Sequence, residues 1–418
     1  MAARGEHLVK GGLLFVSGSG LISRLFARGF AYVLDEIDER LEVGGIDLTL
    51  PDGGRRRLGF RARGPEAVVH LKSWYALVRL ATSGSIGWYR AWAKGEWSSP
   101  DPVPLFTLFM ANRNSLGETG RSKGTARLLN LVKHRLRGND IAGARDNIRA
   151  HYDLGNDFYA AWLDETMTYS SARFPAPDAS LEDAQRHKVA TLLDRLDLKP
   201  GQRLLEIGCG WGSLAIEAAK RGASVVGLTL STEQKLWAER KIAEQQLSDR
   251  IEIRLQDYRQ TDDQFDALAS VEMVEAVGQR WWGAYLDSIA RNLKPGGRAA
   301  LQLISIDHAL FDSYSKNPDF IQAYIFPGGM LIDEPRFAGL AIERGLSWQG
   351  REGFAIDYAE TLKRWRHRFD AAVERGDLEA FSEDFHDLWR YYLMYCEGGF
   401  RGGGIDVAQV TMIKSLSP

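Results

Sequence analysis

Between Leu204 and Ser213 the chain reads Leu-Leu-Glu-Ile-Gly-Cys-Gly-Trp-Gly-Ser. An apolar run that ends in an acid and passes into alternating glycines reads as a buried strand, a tight turn and a helix start. Gly208, Gly210 and Gly212 carry no Cβ, so the backbone there can approach a ligand closely. Glu206, at the strand end, can hold a charged or hydroxylated group. A dinucleotide fingerprint is G-x-G-x-x-G with an acid about 20 residues on for the ribose. Here the next strand, Ser224 to Leu228, runs into Thr229-Leu230-Ser231 with no acid. The E-x-G-x-G-x-G form therefore points to S-adenosylmethionine (AdoMet) rather than a nicotinamide dinucleotide.

The elements that must position this turn follow from the pattern around it. From about residue 185 strand and helix alternate, as in a doubly wound parallel sheet. Strands are expected at 203–207, 224–228, 251–255, 267–271 and 298–304, and helices at 214–220, 233–246 and 282–292. Leu293-Lys294-Pro295-Gly296-Gly297 is a turn before the last of these strands, and a C-terminal antiparallel strand is expected near 406–413. Residues 1–115 read as a small α+β domain. A helix over 21–41 precedes strands at 45–50 and 56–61, joined by the turn Pro51-Asp52-Gly53-Gly54. A strand at 67–71 and a helix near 74–82 follow. The aromatics of 88–97 suit either a small-domain core or an apolar surface for lipid chains.

Between these parts, residues 116–145 form a basic linker or helix. Arg121, Lys123, Arg127, Lys133, Arg135 and Arg137 alternate with leucines, and 121–137 holds no acid. A helix there is basic on one side and apolar on the other, which suits an anionic membrane surface; a solvated linker helix explains it as well. No other basic stripe with aromatics exists, so nucleic acid is not expected as a partner. The 418 residues carry a net charge of −2, with 44% hydrophobic and 26% charged residues, as in a soluble globular protein. The two cysteines, Cys209 and Cys396, have no metal-type spacing and exclude a disulfide framework, so a cytoplasmic setting fits. The apolar stretch 11–22 is too short to span a bilayer.

Several segments, taken in order, resemble the cyclopropane-fatty-acyl-phospholipid synthase family of AdoMet methyltransferases. They are His151 to Tyr159, Thr168 to Phe174, the glycine turn, Thr229 to Gln234, Leu255 to Arg259 and Glu272 to Gly278. Tyr324 to Gly329, Asp357 to Leu362 and Cys396 to Phe400 complete the set. The resemblance is close from about 145 onward, and the part before it is similar to the lipid-associated domain of full-length bacterial members. The Glu-Ala-Val-Gly and Ile-Phe-Pro-Gly-Gly forms are similar to a branch that includes plant synthases.

The resemblance implies a class I AdoMet-methyltransferase domain, a Rossmann-like α/β sheet with helical insertions, over 146–418. It implies transfer of the AdoMet methyl to a cis double bond of an acyl chain in a membrane phospholipid, and loss of a methyl proton that closes a cyclopropane ring. Tyr169 and Ser170 then contact the methionine end, Thr229, Leu230, Ser231 and Gln234 line the ribose side, and Asp257, Tyr258 and Arg259 sit at the adenine. Aromatic faces must steady the cation, with Tyr324, Phe326 and Tyr358 as candidates. A bound bicarbonate is the implied base, set among Ser171, Glu275, Gln302, Ile304 and Tyr358. Ser171 stands where the family pattern has cysteine, and Gln302 where it has histidine. Glutamine donates a hydrogen bond but neither carries charge nor relays a proton. A homodimer, peripheral at the inner face of the membrane, is also implied. Two further readings stand beside this one: a relative that forms a methylene- or methyl-branched chain, and a non-catalytic lipid-binding protein.

Overall fold

A computed structural model of the chain describes residues 4–13, 27–117 and 154–416. The basic segment 121–137 and His151 lie outside the described residues. The described chain forms two compact units that are not consecutive in sequence. One comprises described residues of 1–137 together with 312–327 and 379–405; the other comprises those of 138–311, 328–378 and 406–418. The consecutive division expected at 115 and 145 does not anticipate these two returns of the chain.

In the first unit, strands β1 (Gly45–Thr49), β2 (Arg55–Gly59), β3 (Glu66–Leu71) and β4 (Trp97–Ser98) form a sheet in the order β2-β1-β3-β4. The Pro51 to Gly54 turn closes the β1–β2 hairpin as expected, whereas β1 and β3 run parallel. The helix expected near 74–82 continues from Tyr75 to Ala93, bent at Gly84, whose φ of 57° only glycine adopts without strain. The helix expected over 21–41 spans Ala27–Arg40. The aromatics near residue 90 are core: Trp88 stacks on Trp97 at 4.4 Å, and Tyr89 packs against Phe320, Tyr324 and Tyr391.

The second unit is built on a seven-stranded sheet, β10-β11-β9-β8-β5-β6-β7. Its strands are β5 (Arg203–Ile207), β6 (Ser224–Thr229), β7 (Ile251–Leu255), β8 (Phe265–Val271), β9 (Leu293–Ile306), β10 (Leu346–Gly353) and β11 (Ile405–Lys414). β5 pairs in parallel with both β6 and β8, and β9 extends the parallel set beside β8. β11 is antiparallel to β10, as expected of the C-terminal strand. Leu204 to Ile207 are buried, as a central strand between helical layers must be. The helices Leu181–Arg195, Ser213–Lys220 and Thr232–Glu244 cover one face through Leu192, Leu196, Leu214, Ala218, Ala238 and Ile242. Each buried leucine contributes about 1.5–3 kcal/mol.

One expectation needs correction. The turn at 293–297 does not precede β9 but interrupts it. Phe265 pairs with Leu293 and Ala267 with Arg298, so Pro295-Gly296-Gly297 is extruded as a bulge.

The strand order reverses between β5 and β8, because the chain winds outward from β5 in both directions. In such sheets ligands bind outside the carboxyl ends of the strands at that reversal. The glycine turn follows β5 there, and residues 272–275 follow β8 beside it.

Candidate active site

The glycine turn adopts the backbone its sequence demands. Gly208, Gly210 and Gly212 have φ of 80°, 51° and 89°. A Cβ at Gly208 would meet Met273 Cγ at 2.9 Å, whereas one at Gly210 would meet nothing within 4 Å among the described residues. The turn therefore packs against the end of β8 on one side and leaves room for a ligand at Gly210. Glu206 is buried, and its carboxylate accepts from the backbone N–H of Ala215 in the first turn of the helix that begins at Ser213. Its Oε2 has no partner among the described residues, and burial pushes its carboxyl up to about 8. Glu206 thus braces the helix start behind the turn, a role that the strand-end position alone does not indicate.

At the end of β6, Thr229 Oγ1 donates to Gln234 Oε1 at 2.9 Å and accepts from Ser231 N at 3.1 Å. Ser231 caps the helix Thr232–Glu244 by accepting from Gln234 N. Thr229, Ser231 and Gln234 are buried as one hydrogen-bonded group, with Leu230 half-buried between them. Beyond β7, the Asp257 carboxylate accepts from Arg259 N, Nε and one guanidinium NH2, and Tyr258 is buried beside Tyr285. Burial pushes the Tyr258 phenol up to about 12.

On the other side of the turn, the segment 168–172 joins the same site. Tyr169 packs against Tyr159, Trp162 and Trp365 with ring centroids 5.4–5.6 Å apart. Ser170 is buried; its Oγ accepts from Lys188 Nζ at 2.7 Å and its carbonyl from Gln185 Nε2 at 2.9 Å. Ser171 is fully buried, and its hydroxyl donates to the carbonyl of Ala172.

The expected catalytic residues fall into two groups. Ser171, Gln302 and Tyr358 converge on a single carboxylate, that of Glu272. Its Oε1 accepts from Ser171 N and Gln302 Nε2, both at 2.8 Å, and its Oε2 from the Tyr358 hydroxyl at 2.7 Å. Ile304 and Glu275 meet each other instead: Ile304 N donates to Glu275 Oε1. Glu275 Oε2 is buried without a partner among the described residues, and burial, with Glu272 nearby, pushes this carboxyl up to about 8. Tyr324 and Phe326 belong to the other unit. There the Tyr324 hydroxyl accepts from Arg90 Nε at 3.0 Å, and Phe326 packs edge-on to Tyr392.

Three participants were not singled out from the sequence. Glu272 holds a φ of 47°, a conformation non-glycine residues rarely adopt and one that clusters at functional sites. Gln409 on β11 links Gln302 Oε1 to the carbonyl of Lys188. Lys188 is 1% exposed, and burial pushes its ammonium down to about 8. It lies on the apolar stripe Leu181-Ala184-Lys188-Leu192, and a lysine on that stripe is the signal that could have revealed it.

This sheet order, with a glycine turn after its first strand and polar groups at the strand ends, defines a class I AdoMet-dependent methyltransferase. Within that class the chain belongs to a single family: residues 140–410 match the model of the mycolic acid cyclopropane synthetases. The chain is 38% identical over 368 residues to the tuberculostearic acid methyltransferase UfaA1 of Mycobacterium tuberculosis, covering 85% of each. It is 36% identical over 352 residues to the cyclopropane-fatty-acyl-phospholipid synthase of Escherichia coli K12, covering 81% of this chain and 85% of the relative. The mycolic acid cyclopropane synthase CmaA1 in complex with SAH and CTAB superposes with a TM-score of 0.61 at 32% identity, over 65% of this chain and 98% of that one. Coclaurine N-methyltransferase, at 19% identity and a TM-score of 0.54, shares the fold.

Proposed function

We propose that this protein transfers the methyl group of AdoMet to the cis double bond of an unsaturated acyl chain in a membrane phospholipid, and that proton loss from the resulting cation closes a cyclopropane ring. The observation that carries this reading is the meeting, at the carboxyl ends of β5, β8 and β9, of an open glycine turn and an enclosed carboxylate network.

AdoMet fits the residues present. Gly208, Gly210 and Gly212 admit it closely, and the space at Gly210 is available to it. Tyr169 and Ser170 hold its methionine end, Thr229, Leu230, Ser231 and Gln234 its ribose side, and Asp257, Tyr258 and Arg259 its adenine. It supplies an electrophilic methyl group. An alkene is a weak nucleophile, so the chain's own residues must steady positive charge and keep water away. The Tyr358 ring offers a π face, a contact of about 0.5–2 kcal/mol. Glu275, held by Ile304 N, adds a carboxyl group beside the same strand ends. For membrane engagement, the first unit and the segment Arg121–Arg137 provide a peripheral surface at the inner leaflet, with the protein as a homodimer.

A second reading is favoured by the 38% identity to a tuberculostearic acid methyltransferase. If a 1,2-hydride shift moves the cation to the carbon that bears the new methyl, loss of a proton from that methyl leaves a branching methylene (C=CH2) instead of a ring. Purified protein, methyl-labelled AdoMet and vesicles of cis-monounsaturated anionic phospholipid test both. NMR of the released fatty acids shows upfield ring protons for the first reading and vinylidene protons for the second. AdoMet binding without any labelled lipid refutes both.

A further inference from the structure

We propose that the carboxylate of Glu272 is the proton acceptor of the reaction and that no external bicarbonate takes part. This rests on the methyl-transfer reading above and deepens it.

The anion position is already occupied. Three of the donors suited to a small trigonal anion, Ser171 N, Gln302 Nε2 and the Tyr358 hydroxyl, are already spent on Glu272 at 2.7–2.8 Å. A carboxylate and a bicarbonate present the same planar pair of oxygens to such donors. The site holds this group covalently, so a second anion would have to displace it from these three donors. Glu275 lies close enough for its carboxyl to feel Glu272, which makes a further negative charge there costly.

The surroundings of the two acids favour different protonation states. Burial raises the Glu272 carboxyl, and its three hydrogen bonds oppose that by favouring the charged form. Glu275 leaves Oε2 unpartnered among the described residues, which favours the neutral form. Two neighbouring acids whose surroundings differ in this way divide into a base and an acid. Lys188, buried behind Ser170, is a cation whose field also supports a charged Glu272.

Glu272 follows β8 at the strand-order reversal, next to Met273, which packs on Gly208. Its φ of 47° is strain that a surface carboxylate would have no reason to keep. Gln302 completes the set. It cannot relay a proton, but its amide donates to Glu272 Oε1 while Gln409 Nε2 donates to its Oε1 at 3.2 Å, which fixes its orientation.

The step balances without any co-reactant. A C–H bond of the transferred methyl breaks, its electron pair forms the new carbon–carbon bond, and the proton ends on a Glu272 oxygen. The neutral acid then returns that proton to solvent after the product leaves.

The test uses full-length protein in buffer stripped of carbon dioxide and bicarbonate, with AdoMet binding measured alongside. Wild-type turnover is expected to be unchanged by stripping. Glu272→Gly relaxes the backbone and empties the anion position; its turnover should fall at least about a hundredfold, as for loss of a general base, and recover on adding bicarbonate or formate. Glu272→Gln should stay inactive with either anion, while both variants bind AdoMet within about twofold of wild type. Wild-type activity that collapses without bicarbonate overturns the inference, as does a Glu272→Gly enzyme that works in stripped buffer. A Glu272→Gly enzyme that binds AdoMet and responds to no small anion also overturns it, leaving Glu272 a positioning residue for Tyr358. Absence of labelled lipid with wild type in either buffer instead refutes the methyl-transfer reading itself.

Discussion

Alanine at Gly210 separates the backbone demand of the glycine turn from its ligand demand. Gly210 has φ of 51°, where a Cβ costs about 1–2 kcal/mol. Among the described residues no heavy atom lies within 4 Å of the added Cβ, so they offer it no steric conflict. Gly201, on the turn before β5, is a matched control: its φ is 84°, and its Cβ also meets nothing within 4 Å among the described residues. Both Gly201→Ala and Gly210→Ala should therefore lose about 1–2 kcal/mol of stability. They should differ in ligand binding. A methyl placed in space that AdoMet occupies overpacks the contact by about 1–3 kcal/mol, which is about five- to a hundred-and-fifty-fold in Kd. Calorimetric titration with AdoMet should show that loss for Gly210→Ala and an unchanged Kd for Gly201→Ala. Equal affinities in the two variants would refute the placement of the cofactor at this turn.

Further outcomes follow from the same geometry. Glu206 is raised from its ordinary 4.5 to about 8, so its burial cost is absent below pH 4.5, grows as pH rises and is complete above about 8. Glu206→Gln should therefore gain stability over wild type between pH 5 and 9, by at most about 5 kcal/mol; parallel denaturation profiles would contradict this. Glu275→Gln keeps the acceptor for Ile304 N, so AdoMet binding should survive while most activity is lost. Equal loss of both in binding and turnover assays would place Glu275 in the cofactor pocket instead. Binding to anionic vesicles should weaken at high salt, because the six cations between Arg121 and Arg137 are screened; salt-independent sedimentation with vesicles would remove that segment's role.

The central strands and their turn were legible because they rest on local rules. Leu204 to Ile207 is an apolar run ended by glycines, and the five strands read from such runs are all present. β10 escaped notice because its outer half, Gln349 to Gly353, is exposed and polar, so no apolar alternation marks it. The interruption of β9 was misplaced for a similar reason: Pro295-Gly296-Gly297 reads as a terminus, and only pairing with β8 makes it a bulge. The return of 312–327 and 379–405 to the first unit depends on contacts between distant segments, which local pattern does not carry. At the site, Ser171, Gln302 and Tyr358 were found through motif resemblance, but their common target was not. Glu272 sits in the loop after β8, where an acid reads as solvated, and neither its left-handed backbone nor its three donors can be inferred from its neighbours in sequence.

The origin of the lost proton bears most directly on the account. AdoMet carrying a fully deuterated methyl would be turned over with cis-monounsaturated phospholipid vesicles, and the released fatty acids analysed by mass spectrometry and NMR. The account predicts an added carbon that retains two of its three deuteriums, because the third leaves from the transferred methyl. An added methyl that keeps all three would show that the proton comes from the acyl chain itself and would contradict the account.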